Sequence, residues 1–286
     1  MRTIKYFIQF IIILVCFLFF KIFGLRVASI ISSNIVSCIG PFFRSRVMMH
    51  SNISKALPNL NHKEVKKISQ KMWENYGKIL SEYIFIKNFR ESKLGYNIDI
   101  QGQEILDRIK NENKPVIFIS GHFNNFELMA MHIEKSGVNL AAIYRPLNNK
   151  FLNYIMVNIR KKYICKNQIK KGISGTKRLL TFFKNGTSIA LMIDQRVSQG
   201  IKSNFFNHMA FTTTIPAQFV KKFGCKIVPI YIERAKYNNF KLTIQNPLEY
   251  TGNDSIKFIT QDLNNLLEKM ILKNPEQWIW SHNRWK

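Results

Sequence analysis

From Phe7 to Phe20 the chain reads FIQFIIILVCFLFF, with Gln9 its one polar residue. A run of that composition has to leave water, so it marks the chain's one membrane segment. Its fourteen residues fall short of the roughly 20 that cross a bilayer. Ile4 to Leu25 reaches if Lys5 and Lys21 snorkel to the interfaces, so crossing and half-insertion both stay open. No small-x-small cleavage site follows closely, and an uncleaved anchor over residues 1–26 is expected. Arg2 and Lys5 precede the run, while Lys21, Arg26, Arg44 and Arg46 follow it. The larger downstream cluster leans the body, residues 27–286, toward the cytoplasm.

The body divides into a helical part to about residue 110 and an alternating part from 111 onward. Between Asn61 and Ile86, Val65, Ile68, Met72, Tyr76, Ile79, Leu80 and Tyr83 recur at spacings of three and four, which predicts an amphipathic helix. Strands are predicted at Val116–Ser120, Leu140–Tyr144, Thr187–Ile193 and Lys226–Ile232, with helices at about Asn148–Ile164, Gly175–Phe183 and Ile215–Phe223 between them. Phe240–Ile244 reads as an edge strand and Ser255–Leu272 as a closing helix. Alternation of this kind predicts an α/β fold, a mostly parallel central sheet flanked by helices.

With 286 residues, 46% hydrophobic and 13% aromatic, the chain buries a sizeable core. Its net charge of +26 attracts lipid headgroups, nucleic acid or an acidic carrier protein, although the abundance of Lys, Asn and Ile is also what an AT-rich coding sequence produces. Cys16, Cys38, Cys165 and Cys225 lie far apart, with no Cys-x-x-Cys spacing, which argues against a zinc knuckle or a disulfide framework. Cys165 as a covalent acyl carrier lacks any evident base nearby.

The chemistry centres on Gly-His-Phe-Asn-Asn-Phe-Glu, residues 121–127, which follows the strand VIFIS directly. In open α/β sheets, working residues gather just past the carboxyl ends of strands. Five positions apart, His122 and Glu127 would lie about 140° apart on one continuous helix. They meet if the helix starts between them, with Asn124 as N-cap and Glu127 in the third helical position. A carboxylate on one imidazole nitrogen fixes the tautomer and leaves the other nitrogen free to take a proton from a hydroxyl. The alternative is an ordinary capping box beside a loop histidine. His62 and His132 lack a comparable acidic partner and read as surface or satisfied residues.

The segment with its surroundings resembles the His-x4-Asp/Glu motif of the glycerolipid and lysophospholipid acyltransferases, and closely the bacterial lipid A biosynthesis acyltransferases. The likeness covers the anchor and about Lys114 to Lys286. It includes Ile143-Tyr144-Arg145-Pro146 with Asn148-Asn149, Met192-Ile193-Asp194-Gln195, Phe205-Phe206, Thr212–Thr214 with Pro216-Ala217, Val228-Pro229 and the terminal PEQWIWSHNRWK. The resemblance implies acyl transfer from an acyl carrier protein thioester, or acyl-CoA, to a hydroxyl of a lipid A precursor. It implies no cofactor, no metal and no covalent acyl-enzyme, at the inner membrane of a Gram-negative bacterium.

By matching position, His122 is the general base and Glu127 its orienting or charge-stabilising partner. Arg145, Arg160, Asp194, Gln195 and Asn125 fall among the substrate contacts, with Arg160 a phosphate or oxyanion contact suited to its permanent, forked charge. A solvated basic face is the plainer reading of both arginines, and a structural hydrogen bond that of Asp194. Two departures bear on the acceptor: Asn207 stands where the family usually has Gly, and His282-Asn283-Arg284 replaces a more basic run. Trp278, Trp280 and Trp285 suit either a bilayer interface or a packed tail. Other readings are an acyltransferase acting on a lysophospholipid or a mannosylated inositol lipid, and a membrane-tethered nucleic-acid-binding protein. For the last, the chain offers no helix-turn-helix or basic recognition motif, so no nucleic-acid partner is expected.

Overall fold

The computed structural model describes residues 2–93, 95–235 and 239–286. Helix α1, Arg2–Ile39, carries the apolar run and is broken at Gly24, whose φ of 77° and ψ of 167° no helical residue adopts. The part before the break is about 33 Å long at 1.5 Å per residue, the thickness of a hydrocarbon core. By length and composition the helix qualifies to cross a membrane, with Ile8, Ile12, Phe19 and Ile22 among its exposed side chains.

Past the break, α1 turns a face of Ala28, Ser29, Ser32 and Ser33 onto α3, His62–Glu82. These small residues let two backbones approach closely, as helices packed in lipid do. Gly77 is where they meet: a Cβ placed on it would stand 2.2 Å from the Ser32 carbonyl oxygen. Helix α3 starts at a complete capping box, the Asn61 side chain accepting from Glu64 N–H while Glu64 accepts from Asn61 N–H. Helix α2, Arg46–Ala56, lies before it and α4, Ile86–Arg90, after it.

The chain then supplies nine strands and six further helices among the described residues. They are β1 (Ile98–Gln101), α5 (Gln103–Glu112), β2 (Ile117–Ser120), α6 (Glu127–Lys135), β3 (Leu140–Tyr144), α7 (Lys150–Tyr163), β4 (Asn167–Lys170) and α8 (Ile173–Lys184). There follow β5 (Ser188–Met192), β6 (Ile201–Phe205), β7 (His208–Thr212), α9 (Ile215–Phe223), β8 (Ile227–Arg234), β9 (Phe240–Ile244) and α10 (Ile256–Lys273). Seven strands form one sheet in the order β1-β9-β8-β2-β5-β3-β4. The five from β8 to β4 run parallel, β9 is antiparallel to β8, and β1 is parallel to β9. All four residues of β2 are buried, as a central strand covered on both faces requires.

One expectation shifts, and two elements that the sequence did not announce appear. Phe240–Ile244 is not an edge strand, because β1, with the mixed pattern IDIQ, pairs outside it. At the other edge, β4 reads NQIK and buries only Ile169 fully, so it carries little apolar signal. The hairpin β6–β7 turns on Phe206 and Asn207, with φ of 52° and 59°. A two-residue turn of that type needs left-handed residues at both positions, and Asn adopts that conformation more readily than most, so Asn207 serves where Gly usually stands.

Helix α1 also reaches the sheet domain. Phe7 and Phe10 pack on Phe151 at 5.6 Å between ring centroids, and Asn149, the N-cap of α7, donates from Nδ2 to the Tyr6 carbonyl at 2.8 Å. The close α1–α3 contact gives a direct test. Gly77→Leu forces the helices apart and lowers stability by about 1–3 kcal/mol, the usual range for overpacking. Thermal unfolding in detergent checks it, against a surface control such as Lys71→Ala that leaves the midpoint in place.

Candidate functional site

Parallel pairing of β2 with β5 sets Ser120 opposite Met192, so the residues just beyond, His122 and Asp194, emerge side by side at the carboxyl edge of the sheet. Asp194 is fully buried and gathers three contacts. His122 backbone N–H donates to its Oδ2 at 2.8 Å, Trp278 Nε1–H donates to the same oxygen at 2.9 Å, and its Oδ1 lies 2.8 Å from His122 Nδ1. Burial pushes the Asp194 carboxyl up, but the His122 imidazole, its hydrogen bonds and Trp278 together hold it down at about 2. An ionised Asp194 can only accept, so it selects the tautomer with the proton on Nδ1 and leaves Nε2 as the acceptor nitrogen of the ring. Phe126 meets the imidazole edge to face at 4.8 Å and steadies the ring.

The carboxylate that meets His122 is therefore that of Asp194, not of Glu127. Helix α6 begins at Glu127 itself, with Phe126 as an N-cap that makes no side-chain cap bond, and Asn124 sits in the left-handed region at φ 43°. The expected capping box is absent at this helix because the chain is still turning at Asn124. From the first turn of α6, the Glu127 carboxylate reaches Arg160 of α7, accepting from Nε at 2.8 Å and from a second guanidinium nitrogen. Burial alone would lower the Arg160 pKa, and the adjoining Glu127 charge raises it instead. Arg160 stands 5.8 Å over the Tyr144 ring. Its fork is thus engaged by Glu127 and an aromatic face instead of standing open for a phosphate, the role expected of it. The Tyr83 hydroxyl is buried close by, and burial followed by the Glu127 charge pushes it above the phenol range.

Of the remaining expected contacts, Asn125 is fully buried and donates from Nδ2 to Glu82 at 3.2 Å, which removes it from any substrate-facing surface. Arg145 is exposed just past β3, and Gln195 is partly exposed beside Asp194. Both stay at the same sheet edge as His122. His132 is partly buried beside Gln103 and His62 is exposed, as expected of residues outside the site. Burial pushes the Cys165 thiol up to about 12, which makes it a poor nucleophile.

The C-terminal tail is packed, so the tryptophans do not mark a bilayer interface. Trp278 and Trp280 are buried against each other, and Trp285 donates to the Phe205 carbonyl at 3.0 Å. His282 accepts at Nε2 from Arg196 N–H at 3.0 Å, and burial lowers its pKa. Arg284 is wholly buried, donating to the Phe211 carbonyl at 2.6 Å and to Thr212 Oγ1 at 2.7 Å. Trp278, which the sequence left between two readings, is thus part of the His122 setting.

Comparison with known proteins bears on what such a site serves. A family profile described as bacterial lipid A biosynthesis acyltransferase matches residues 1–286. The lipid A biosynthesis palmitoleoyltransferase of Escherichia coli K12 is 22% identical over 251 residues, 86% of this chain and 80% of that protein. The lauroyltransferase of the same strain is 22% identical over 252 residues, 85% of this chain and 79% of that protein. The crystal structure of the 1-acyl-sn-glycerophosphate acyltransferase of Thermotoga maritima aligns with a TM-score of 0.43 at 11% identity, covering 89% of this chain and 99% of that one.

A pH test follows from Asp194. Its depressed pKa contributes stability that is full above the unfolded value near 3.9 and is lost as pH falls toward about 2. The stability gap between wild type and Asp194→Asn, measured by denaturant unfolding, is expected to be about 2 kcal/mol near neutrality and to close between about pH 4 and 2. A gap that persists unchanged at pH 2 would contradict the assignment.

Proposed function

The chain belongs to the bacterial lipid A biosynthesis acyltransferase family, and from that premise we propose that it transfers a fatty acyl chain from an acyl carrier protein thioester to a hydroxyl of a lipid A precursor, with His122 as general base. Acyl transfer in lipid A biosynthesis is the family's activity. The donor, the mechanism and the inner-membrane, cytoplasm-facing setting are our reading. The single observation that carries the mechanism is the 2.8 Å contact between His122 Nδ1 and the buried Asp194 carboxylate where β2 and β5 end side by side.

In this reading, His122 Nε2 takes the acceptor hydroxyl proton as the oxygen attacks the thioester carbonyl carbon. Asp194 keeps the imidazole in the tautomer that can accept, and stabilises the imidazolium that forms. The tetrahedral oxyanion collapses, the carbon–sulfur bond breaks, and the leaving thiolate takes the proton back from Nε2. No covalent acyl-enzyme is needed. Of the two roles open to Glu127, its bond to Arg160 supports charge stabilisation and placement of the α6 start, and leaves ring orientation to Asp194. The net charge of +26 supports an acidic carrier protein and an anionic, membrane-held acceptor.

The deciding assay gives purified protein an acyl carrier protein thioester and a tetra-acylated lipid A precursor, with and without its acidic sugars, and reads added acyl mass. Acylated product is expected. No product with either precursor, but turnover with a lysophospholipid, overturns the acceptor. His122→Ala is expected to cut kcat by at least about a hundredfold with its unfolding midpoint unchanged, since general-base contributions start near that size. Asp194→Asn is expected to lose activity on the same scale by releasing the tautomer, whereas wild-type rates in either variant would remove that residue from the mechanism.

A further inference from the structure

Behind the motif loop lies a second buried polar cluster that touches none of the reacting atoms. Glu82, from the end of α3, is wholly buried and forms an ion pair with Arg234, at the end of β8. Arg234 donates a second bond to Glu82 Oε2 at 3.2 Å and another from Nε to Asn75 Oδ1 at 3.1 Å. Its guanidinium lies 4.7 Å over the Phe240 ring. Asn125 donates to that same Glu82 Oε2. Asn124 donates from Nδ2 to Gln277 Oε1 at 2.6 Å and to the Ile232 carbonyl at 3.2 Å, and from its backbone N–H to the Gln277 carbonyl at 3.0 Å. Gln277 Oε1 in turn accepts from Arg234 N–H at 2.9 Å.

Three segments distant in sequence, the end of α3, the end of β8 and the C-terminal tail, therefore close on the two motif asparagines. A buried ion pair adds little stability over a well-packed apolar pair of the same volume, while losing one partner strands a charge. What this pair supplies is placement. Asn124 holds a left-handed φ of 43°, which Asn adopts more readily than most non-glycine residues, and these contacts fix it there. That one reversal lets His122, before it, face Asp194 and Glu127, after it, face Arg160.

We propose that Glu82 and Arg234 are positioning residues: through Asn125 their ion pair holds the loop beside the Asn124 turn, which Gln277 holds from the Arg234 backbone, and this bracing aims His122 and Glu127 at their separate partners. The proposal rests on His122 being the base, and its test carries a readout that needs no acyl substrate. That readout is carbethoxylation of His122 by diethyl pyrocarbonate, followed by peptide mass. The double variant Glu82→Leu/Arg234→Met removes the pair and strands no charge. Asn125→Ala leaves the pair intact and cuts only its link to the loop.

For both, the expected result is kcat at least about tenfold lower with KM for the acceptor within twofold, and His122 labelled at least threefold faster than in wild type, because the ring is no longer locked. An unfolding midpoint that drops with kcat and labelling unchanged means a structural role only and overturns the proposal, as does wild-type behaviour of Asn125→Ala. Should the double variant fail to fold, Asn125→Ala decides alone. A wild-type protein that acylates nothing refutes the proposed function, while the labelling comparison still judges the positioning role.

Discussion

The Asp194 carboxylate is the point on which the molecule's organisation converges. It joins three pieces of chain: the end of β5 that carries it, the end of β2 through His122, and the C-terminal tail through Trp278. A bare carboxylate so deeply buried would be driven to its neutral form, and three donors are what keep it charged. Its charge then dictates the tautomer of His122. The tail is held equally firmly farther on, with His282 on the Arg196 backbone and Arg284 under the β6–β7 hairpin. A tail fixed at several points by buried polar groups acts as a structural member of the site.

The apolar helix is tied into the same framework. Past Gly24 it lies on α3 through small residues; before Gly24 it meets α7 through Phe151 and the Asn149–Tyr6 bond. Helix α7 carries Arg160 and so the partner of Glu127, and α3 ends in Glu82, the partner of Arg234 and Asn125. Both faces against which the N-terminal helix packs therefore lead, within one helix length, to a residue that holds the motif loop. The apolar helix is thus positioned relative to the motif loop by packing.

Much of the fold was legible because its signals are local. The alternation of strands and helices, the bounds of β3, α9 and β9, and the placement of His122 past a central strand all follow from periodicity and strand-end logic. What escaped were elements whose identity depends on neighbours. β4 buries a single residue at a sheet edge, β1 displaces β9 from the edge, and the β6–β7 hairpin turns on a Phe-Asn pair instead of a glycine turn. At the site, the His122–Glu127 pairing was a reading of sequence distance. The true partner of His122 lies 72 positions away and becomes adjacent only because β2 and β5 are neighbours. Asp194 directly follows the strand predicted at Thr187–Ile193, but strand order, which brings it beside His122, is not written in the local sequence.

The division of labour between the two carboxylates has a physical basis in where each begins. Asp194 follows its strand directly, as His122 nearly does, and adjacent parallel strands bring such short extensions together edge to edge with little freedom. Glu127 comes after a left-handed turn and opens a helix, so its side chain is carried around the loop toward α7. A short side chain at a strand end is the better device for fixing a ring, because fewer torsions need to be frozen. A longer one at a helix start suits a guanidinium that approaches from another layer. The His122–Asp194 hydrogen bond and the Glu127–Arg160 ion pair then anchor opposite ends of the six-residue stretch from His122 to Glu127, and the asparagines between them hold its middle against Glu82 and Gln277. Both ends and the middle of this loop are thus fixed by buried polar partners, which leaves the backbone between His122 and Glu127 little freedom to rearrange.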